Sequence, residues 1–169
     1  FDSLLIAKNH VSRGKSDTYY VNAEHLFRSH TSAHQSHCLD KGSKAFISIA
    51  DCYRRDEIDR SHFPVFHQCE VFKLYDHKDA LGALASSEST IEKFVKEFFD
   101  NPNLETRWVS AYFPFTHPSF ELEILWGDKW MEVLGCGVVR DEILKNANIR
   151  DHVGFAAGFG LERFGMLKY

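Results

Sequence analysis

The chain has 169 residues, 44% of them hydrophobic and 15 of them phenylalanine, which is enough apolar material for one substantial core. A formal net charge of -4 argues against an extended nucleic-acid surface, so any such contact must be local. Four cysteines without a paired CxxC spacing favour a reduced compartment over a disulfide scaffold, and no apolar run approaches the roughly 18 residues of a membrane-spanning helix.

The first half of the chain predicts a short helix followed by a hairpin. Residues 22–39 become rich in Ala and Gln beyond Thr31 and Ser32, either of which can cap a helix. Residues 45–55 and 63–75 carry the β-branched and aromatic side chains that are typical of strands. Because the link between them is polar and charged, the two strands are expected to pair antiparallel around a long loop.

The second half predicts another helix and three more strands. Apolar residues recur at helical spacing in 88–99, behind a Ser or Thr cap, whereas the Ser-rich stretch 84–90 is expected to be loose. The tail begins rich in glycine and ends with a helical pattern. Strands are predicted at 106–115, 119–126 and 129–139, with a tight turn at Gly127 and Asp128. These elements indicate an α+β fold in which a largely antiparallel sheet is flanked by helices, in one domain over residues 1–169.

Alternation along the second strand places three chemically distinct side chains on one face. Phe66, Gln68 and Glu70 are each two residues apart, so all three project to the same side of a sheet. Burying a carboxylate without a partner costs several kcal/mol. Glu70 is therefore expected to face a polar ligand or a cationic group.

Two further pairs share a face by the same rule, Arg54 with Asp56 and Phe113 with Phe115. Each residue alone is compatible with a plain role, as a solvated ion pair or as part of the core. Taken with the second strand, they would place a cation, an aromatic plate, an amide, an acid and an aromatic pair on one sheet surface.

A histidine-rich segment offers a competing, metal-binding interpretation. His30 and His34 are four residues apart, and His37 and Cys38 follow, so these side chains could hold a metal on a helix. The segment lacks the Glu beside the first histidine that HExxH zinc hydrolases use as a base, and the predicted cap begins the helix after His30. An ordinary polar surface is the favoured interpretation of His34 and His37.

Considered together, these segments resemble the catalytic domain of the class II aminoacyl-tRNA synthetases, and most closely that of the single-chain mitochondrial phenylalanyl-tRNA synthetases. The resemblance spans nearly the whole chain, and its segments occur in the family's order. The segments are HTSAHQ (30–35), YRRDEIDRSHFPVFHQCE (53–70), AYFPFTHPSFELEI (111–124), WMEVLGCGVV (130–139) and GFAAGFGLERFGML (154–167).

The resemblance implies an ATP site with two catalytic arginines. Arg54 stands at the position whose guanidinium grips the carboxylate and α-phosphate of the aminoacyl adenylate, a bidentate grip that a planar guanidinium suits. Arg163, in GFGLER, matches the arginine that lies against the triphosphate tail, whereas Glu162 beside it is expected to be an ion-pair partner. The other implied ATP-binding residues are Asp56, His62, Gly160 and Phe66, the last at the adenine-stacking position.

The resemblance also implies a phenylalanine site. Phe113 and Phe115 match an aromatic pair that holds the phenyl ring edge to face, and Ala156 matches the small residue at the far end of the ring pocket. A wall without an acceptor there would disfavour tyrosine. The remaining implied substrate contacts are His30, Ser32 and Gly158, with Gln68 and Glu70 on the ammonium group.

The implied activity is the activation of L-phenylalanine with ATP and its transfer to tRNA(Phe). Mg²⁺ is the implied cofactor, with Glu132 as one acidic neighbour, and the resemblance further implies a monomer in the mitochondrial matrix. Two alternatives are left open: a paralogue that only forms an adenylate, and a synthetase-like module that binds a small molecule or a partner without turnover.

Some parts of the family pattern are not recognisable in these residues. No convincing first signature motif or anticodon-binding module is found, and the chain begins with Phe1 rather than Met. The sequence is therefore expected to be the catalytic core of a longer protein.

Overall fold

The computed structural model describes residues 1–55, 58–59, 62–76 and 78–169, and its centre is one six-stranded sheet. The strands lie in the order β1-β2-β6-β5-β4-β3, and all neighbouring pairs are antiparallel. The strands are β1 Ala45–Tyr53, β2 Val65–Tyr75, β3 Thr106–Ala111, β4 Thr116–Trp126, β5 Lys129–Val139 and β6 Val153–Gly160. The predicted antiparallel α+β architecture is confirmed.

In the part of the chain that the structure describes, four α-helices flank the sheet, and each face carries its own apolar cluster. The helices are α1 Gln35–Asp40, α2 Ala80–Phe98, α3 Asp141–Asn146 and α4 Leu161–Lys168. One cluster joins α2 and α4 to β4, β5 and β6. The other joins α1 and α3 to β2, β5 and β6, and it includes Phe72 and Ala156. No helix in the described ranges is long and apolar enough to cross a membrane.

The five predicted strands are all present, though not always in their predicted extent, and a sixth, β6, forms from the Gly-rich start of the tail, where no strand was predicted. The β1–β2 hairpin partners pair in register, and Gly127 adopts a φ of 67° in the turn between β4 and β5. Strand β3 ends at Ala111, so Phe113 and Phe115 lie in the connection to β4 and not on a strand as predicted. Pro114 sits between them, and because proline has no N–H it cannot continue a sheet ladder.

Helix α2 begins well before the predicted start. The Asp79 carboxylate accepts a hydrogen bond from the Gly82 N–H at 2.8 Å and so caps the helix, whereas a Ser or Thr cap near 88 was expected. The Ser-rich stretch 84–90 is helical, which contradicts its prediction as loose chain. Ser87 is buried there, with its hydroxyl 2.7 Å from that of Tyr75 on β2, so a hydrogen bond satisfies its polar group within the helix interface.

The cap before α1 also differs from the expectation. A 3-10 turn spans Thr31–His34, and its N-cap is His30, whose Nδ1 accepts from the Ser32 N–H at 3.1 Å. Thr31 and Ser32 are buried instead of capping the helix from the surface. This turn brings the His30 imidazole onto the face of the sheet that carries Gln68 and Glu70.

We expect Phe164→Ala to lower the free energy of unfolding by about 3–5 kcal/mol, because truncating a buried aromatic ring leaves a cavity. The Phe164 ring lies 4.7 Å from that of Phe159 and 5.0 Å from that of Phe98, between centroids. Urea denaturation measures the change. Met166→Ala, on the exposed side of the same helix, is the control and should change the value by less than about 0.5 kcal/mol. Equal effects of the two substitutions would contradict this packing.

Candidate functional site

Two adjoining cavities open on the face of the sheet formed by β2, β6 and β5. The first is about 170 Å³ and contains the Glu70 carboxylate and the Phe113 and Phe115 rings. The second is about 390 Å³ and lies toward the start of α4. Their linings overlap in four residues: Arg54, Gln68, Glu132 and Gly158. A ligand could therefore extend from one cavity into the other.

Strand register creates the open space between the cavities. Gln68 on β2 pairs with Gly160 on β6, and Glu70 pairs with Gly158. A long polar side chain on one strand thus stands beside a bare backbone on the next. A Cβ added at Gly158 would have its nearest neighbours at 3.7–3.8 Å, which are ordinary contacts, so the protein tolerates an atom there and leaves the position vacant.

Glu70 is the acidic end of the first cavity. Its side chain is 1% exposed, and Oε1 accepts a hydrogen bond from Gln35 Nε2 on α1. Oε2 is buried and has no hydrogen-bond partner among the described residues. Burial raises the pKa of this carboxyl, although the hydrogen bond from Gln35 and the nearby polar groups of Ser32 and Thr31 act in the opposite direction. The arrangement leaves one oxygen ready for a cationic donor.

Gln68 is held in place by the turn before α1. Its Oε1 accepts from the Thr31 N–H at 3.0 Å and from the Thr31 hydroxyl at 3.2 Å. Its Nε2 therefore points toward His30, with Nε2 of the imidazole 3.1 Å away. This orientation is fixed by the backbone donor, because only the amide oxygen can accept from an N–H.

His30 is a neutral group in this site. Burial lowers the pKa of its imidazole to about 3, and the charge of Arg54 contributes in the same direction. The geometry agrees, because Nδ1 accepts from the Ser32 N–H and therefore carries no proton of its own. His30 thus adds hydrogen-bonding capacity without adding positive charge beside Glu70.

The opposite wall of the first cavity is aromatic. The Phe113 and Phe115 rings are 6.1 Å apart between centroids and nearly parallel, with Phe115 also 5.1 Å from the His30 ring. A Cβ added at Gly135 would lie 2.7 Å from the Phe113 ring, so a glycine is required where this ring crosses β5. Ala156 on β6 is buried and lines the same cavity. The space suits a planar apolar group.

Arg54 stands at the junction of the two cavities, directly after β1. Its guanidinium carbon is 5.0 Å from the centroid of the Phe66 ring, and its Nε donates to the Ser29 carbonyl at 3.2 Å. These contacts hold the side chain across the cavity mouth. Its position lets one cation reach a group in either cavity.

The second cavity combines an aromatic face with a second arginine. Phe66, His62 and Gly160 line it together with Arg163 of α4. Arg163 Nη1 donates to the Glu132 carbonyl at 3.1 Å, and it lies 4.0 Å from Oε2 of the same residue. A Cβ at Gly160 would meet nothing within 4 Å, so this part of the cavity is open.

Glu132 could serve as one protein ligand of a divalent cation, but the described residues do not form a complete metal site. Its carboxylate lies where both cavities meet, and no group of three or more His, Cys, Asp or Glu side chains suited to a metal occurs in the described part of the chain. Mg²⁺ commonly binds one or two carboxylates and takes its other ligands from substrate phosphates and water. The residues present fit that mode. They give the alternative site at His34 and His37 no further support.

The structure brings the predicted site residues together. Those implied for phenylalanine all line the first cavity, and those implied for ATP within the described residues all line the second, while Asp56 lies outside the described residues. Their binding roles stay predictions. Glu162 pairs with His67, as expected of an ion-pair partner.

Several residues of the site were not predicted from the sequence. Gln35 holds Glu70, Thr31 holds Gln68, and Thr116, Gly135 and Cys136 line the first cavity. The small side chains of LGCGVV are a signal that could have identified the β5 residues, because such a run on a strand often marks a close approach. Gln35 gives no comparable signal, since only the fold brings α1 to β2.

Comparisons with known proteins agree with this geometry. A family model described as "tRNA synthetases class II core domain (F)" matches residues 1–169, and the chain belongs to this family of class II tRNA synthetase core domains. A pyrrolysyl-tRNA synthetase from Desulfitobacterium hafniense has the same fold, with a TM-score of 0.72 at 16% identity over 98% of this chain and 57% of that chain.

Sequence identity shows which proteins of this family the chain resembles. The chain is 42% identical to the Mus musculus protein named phenylalanine-tRNA ligase, mitochondrial, and 44% identical to the Arabidopsis thaliana protein named phenylalanine-tRNA ligase, chloroplastic/mitochondrial. It is 40% identical to a phenylalanine-tRNA ligase alpha subunit of Prochlorococcus marinus. Each match covers 100% of this chain but only 44%, 41% and 50% of those proteins. The predicted resemblance is confirmed.

We expect Glu70→Gln to stabilise the free chain at neutral pH. Because burial raises the pKa of Glu70, the folded state holds its proton more tightly than the unfolded state does. The unmodified chain therefore loses stability as pH rises from the ordinary carboxyl pKa of 4.5 toward the raised value. Urea denaturation below 4.5 and at neutral pH should show that the advantage of the Gln variant grows with pH.

The matched control is Glu97→Gln, at a solvent-exposed position on α2 whose carboxylate is 3.9 Å from Lys93 Nζ. This change should shift the free energy of unfolding by less than about 0.5 kcal/mol at either pH. A Glu70→Gln variant whose relative stability fell with rising pH would contradict the burial cost.

Proposed function

We propose that this chain is the catalytic core of a phenylalanine-tRNA ligase, which activates L-phenylalanine with ATP and transfers it to tRNA(Phe). One observation carries the proposal: Glu70, one of whose buried carboxylate oxygens has no hydrogen-bond partner in the described part of the chain, lines an aromatic-walled cavity that adjoins a second cavity at Arg54. The names of the similar proteins support the same choice of amino acid.

The first cavity matches the two ends of phenylalanine. Its ammonium group would donate to Glu70 Oε2 and approach Gln68, while its ring would lie beside Phe113 and Phe115. The ammonium would thereby neutralise the buried charge, an interaction worth far more at a desolvated site than in water. The neutral His30 adds no further positive charge beside Glu70.

Arg54 would act where the amino acid meets the nucleotide. The phenylalanine carboxylate would attack the α-phosphate of ATP, forming a C–O–P bond as the bond from the α-phosphorus to the bridging oxygen breaks and pyrophosphate leaves. A guanidinium shared by both cavities can hold the carboxylate and neutralise the developing phosphate charge. The chain's contribution is positioning and charge, and no covalent nucleophile is needed.

The second cavity would hold the nucleotide. The adenine would stack on Phe66 beside His62, and the triphosphate tail would extend past Gly160 to Arg163. Mg²⁺ bound with the phosphates would neutralise their charge, with Glu132 as the protein ligand this geometry offers. Asp56, implied at the same site, belongs to this proposal by resemblance alone.

Selectivity against tyrosine would come from the far end of the ring pocket. Ala156 contributes only a methyl group there, so a tyrosine hydroxyl would be buried without a partner from this side chain. The gap between phenylalanine and tyrosine would then reflect a desolvation cost and not a steric limit alone.

The proposed setting is mitochondrial translation, with the protein in the matrix as a monomer. Support for the location comes from the names of the similar mouse and Arabidopsis proteins, which include the word mitochondrial. The chain spans about half the length of the relatives, or less, so transfer to tRNA(Phe) would also depend on residues beyond this core.

The test is phenylalanine-dependent exchange of labelled pyrophosphate into ATP, with tyrosine as the competing amino acid, followed by charging of tRNA(Phe). Exchange that is selective for phenylalanine, together with charging, supports the proposal. Exchange without charging by the full-length protein would indicate a paralogue that only forms an adenylate. Phenylalanine binding without exchange would indicate a non-catalytic module.

We expect Arg54→Ala to abolish the exchange reaction while cooperative unfolding is retained, because the side chain lines the cavities and is only partly buried. The control is Arg55→Ala at the next residue, whose guanidinium lies over the Tyr19 ring and donates to the Lys15 carbonyl. Loss of exchange in both variants, or in neither, would remove the assignment of Arg54 to the phosphate.

We expect Ala156→Gly to admit para-substituted phenylalanines, because removing this methyl group lengthens the ring pocket. Exchange rates with a para-halogenated phenylalanine, relative to phenylalanine, measure the effect. Val153→Ala is the control, since that side chain of the same strand packs in the apolar cluster on the other face of the sheet and lines neither cavity. An unchanged substrate range in Ala156→Gly would eliminate its assignment to the end of the pocket.

A further inference from the structure

A histidine on the outer side of β2 lies between two carboxylates. His67 Nδ1 is 2.6 Å from Glu162 Oε1 on α4, and Nε2 is 3.2 Å from Asp51 Oδ1 on β1. A carboxylate can only accept, so both ring nitrogens must donate for both contacts to be hydrogen bonds. The arrangement therefore selects the imidazolium form.

Glu162 also completes the hydrogen bonding of β2 where β6 ends. The β2–β6 pairing stops at Gln68 and Gly160, after which the chain turns into α4. The next N–H of β2, that of His67, donates to Glu162 Oε1 at 2.9 Å and Oε2 at 3.0 Å. The carboxylate thus replaces the carbonyl that a longer β6 would supply.

These contacts fix the residue that precedes Arg163. The N-cap of α4 is Gly160, which offers no side chain to hold the start of the helix. Glu162 is anchored through both of its oxygens, and the guanidinium of the next residue reaches back over the second cavity to the Glu132 carbonyl. Neither His67 nor Asp51 lines either cavity, whereas Glu162, which both of them help to hold, lines the second.

We propose that Asp51, His67 and Glu162 form a proton-dependent clip that positions Arg163 for the triphosphate of ATP. All three are positioning residues. The inference rests on the proposed function for the identity of the ligand. The clip is closed when His67 is protonated, and deprotonation removes one of its two charge-assisted hydrogen bonds.

The direction of the pH dependence follows from the groups that face His67, namely Glu162 of α4 and Asp51 of β1. The hydrogen bond and charge of Glu162, with the charge of Asp51, raise the pKa of His67. Although partial burial opposes it, the interaction with His67 lowers the pKa of Glu162. The clip therefore has both side-chain hydrogen bonds below the ordinary histidine pKa of 6.5 and loses one of them as pH rises through the raised value.

The test measures the Kd of MgATP by calorimetric titration across neutral to alkaline pH, in parallel with the Kd of L-phenylalanine. His67→Asn keeps a donor near the Nδ1 position but cannot titrate. Protonation of ATP itself affects both proteins equally, so it cancels when the Kd of the variant is divided by the Kd of the unmodified chain at the same pH. The unmodified chain should lose MgATP affinity with rising pH relative to His67→Asn. Glu162→Ala should weaken MgATP roughly fivefold at neutral pH and leave L-phenylalanine unchanged.

The matched control is Asp76→Asn, which disrupts another histidine-carboxylate contact at the opposite end of β2 and β6, where His152 Nε2 is 3.1 Å from Asp76 Oδ1. It should leave both affinities unchanged. If the unmodified chain binds MgATP and the His67 and Glu162 variants match it at every pH, the clip is overturned and the proposed function stands. If the unmodified chain binds no MgATP at any pH, both are overturned. Cooperative urea unfolding of each variant excludes misfolding.

Discussion

A carboxylate inside a protein needs hydrogen bonds or an opposite charge, and in the described part of this chain only one of the two oxygens of Glu70 has such a partner. Glu70 is 1% exposed and lines the first cavity; Gln35 occupies one of its oxygens, and the other has no hydrogen-bond partner among the described residues. The free protein therefore bears a desolvation cost that a cationic ligand would relieve. The neutral imidazole of His30 fits this arrangement, because it adds no cation beyond Arg54 that would compete with that ligand.

The antiparallel register places this carboxylate beside open space, in a site that could hold a two-part ligand. Strand β2 supplies alternate side chains to one face, and the glycines of β6 beside Gln68 and Glu70 keep the space above them open. The connection after β3 adds the aromatic wall, while the turn into α4 adds Arg163. Arg54 lines both cavities, so the aromatic first cavity and the second cavity share one cation.

Much of this arrangement could be predicted because strand alternation depends on sequence order alone. The common face of Phe66, Gln68 and Glu70 follows from a period of two, and the hairpin of β1 and β2 follows from a polar link between two β-rich segments. Family resemblance extended the prediction to His30 and Ala156, whose elements are distant in the sequence. The structure places both in the first cavity.

The misses share a physical origin in tertiary context. Asp79 starts α2 early because one carboxylate reaches an N–H three residues on, which outweighs the low helix propensity of the serines that follow. His30 caps its turn with an imidazole, a less common cap than the neighbouring Thr31 or Ser32. The Gly-rich run forms the central strand β6, although its own sequence does not favour a strand, because β2 and β5 provide hydrogen-bond partners on both sides.

Gly158 shows how a ligand and a fold can place separate demands on one residue. An added Cβ would make only ordinary contacts with the protein, and yet it would project where the two cavities join. Selection for a stably folded chain would accept alanine at this position, whereas selection for occupancy of both cavities would reject it. A preference for glycine at position 158 would therefore reflect the shape of the ligand and not the stability of the folded chain.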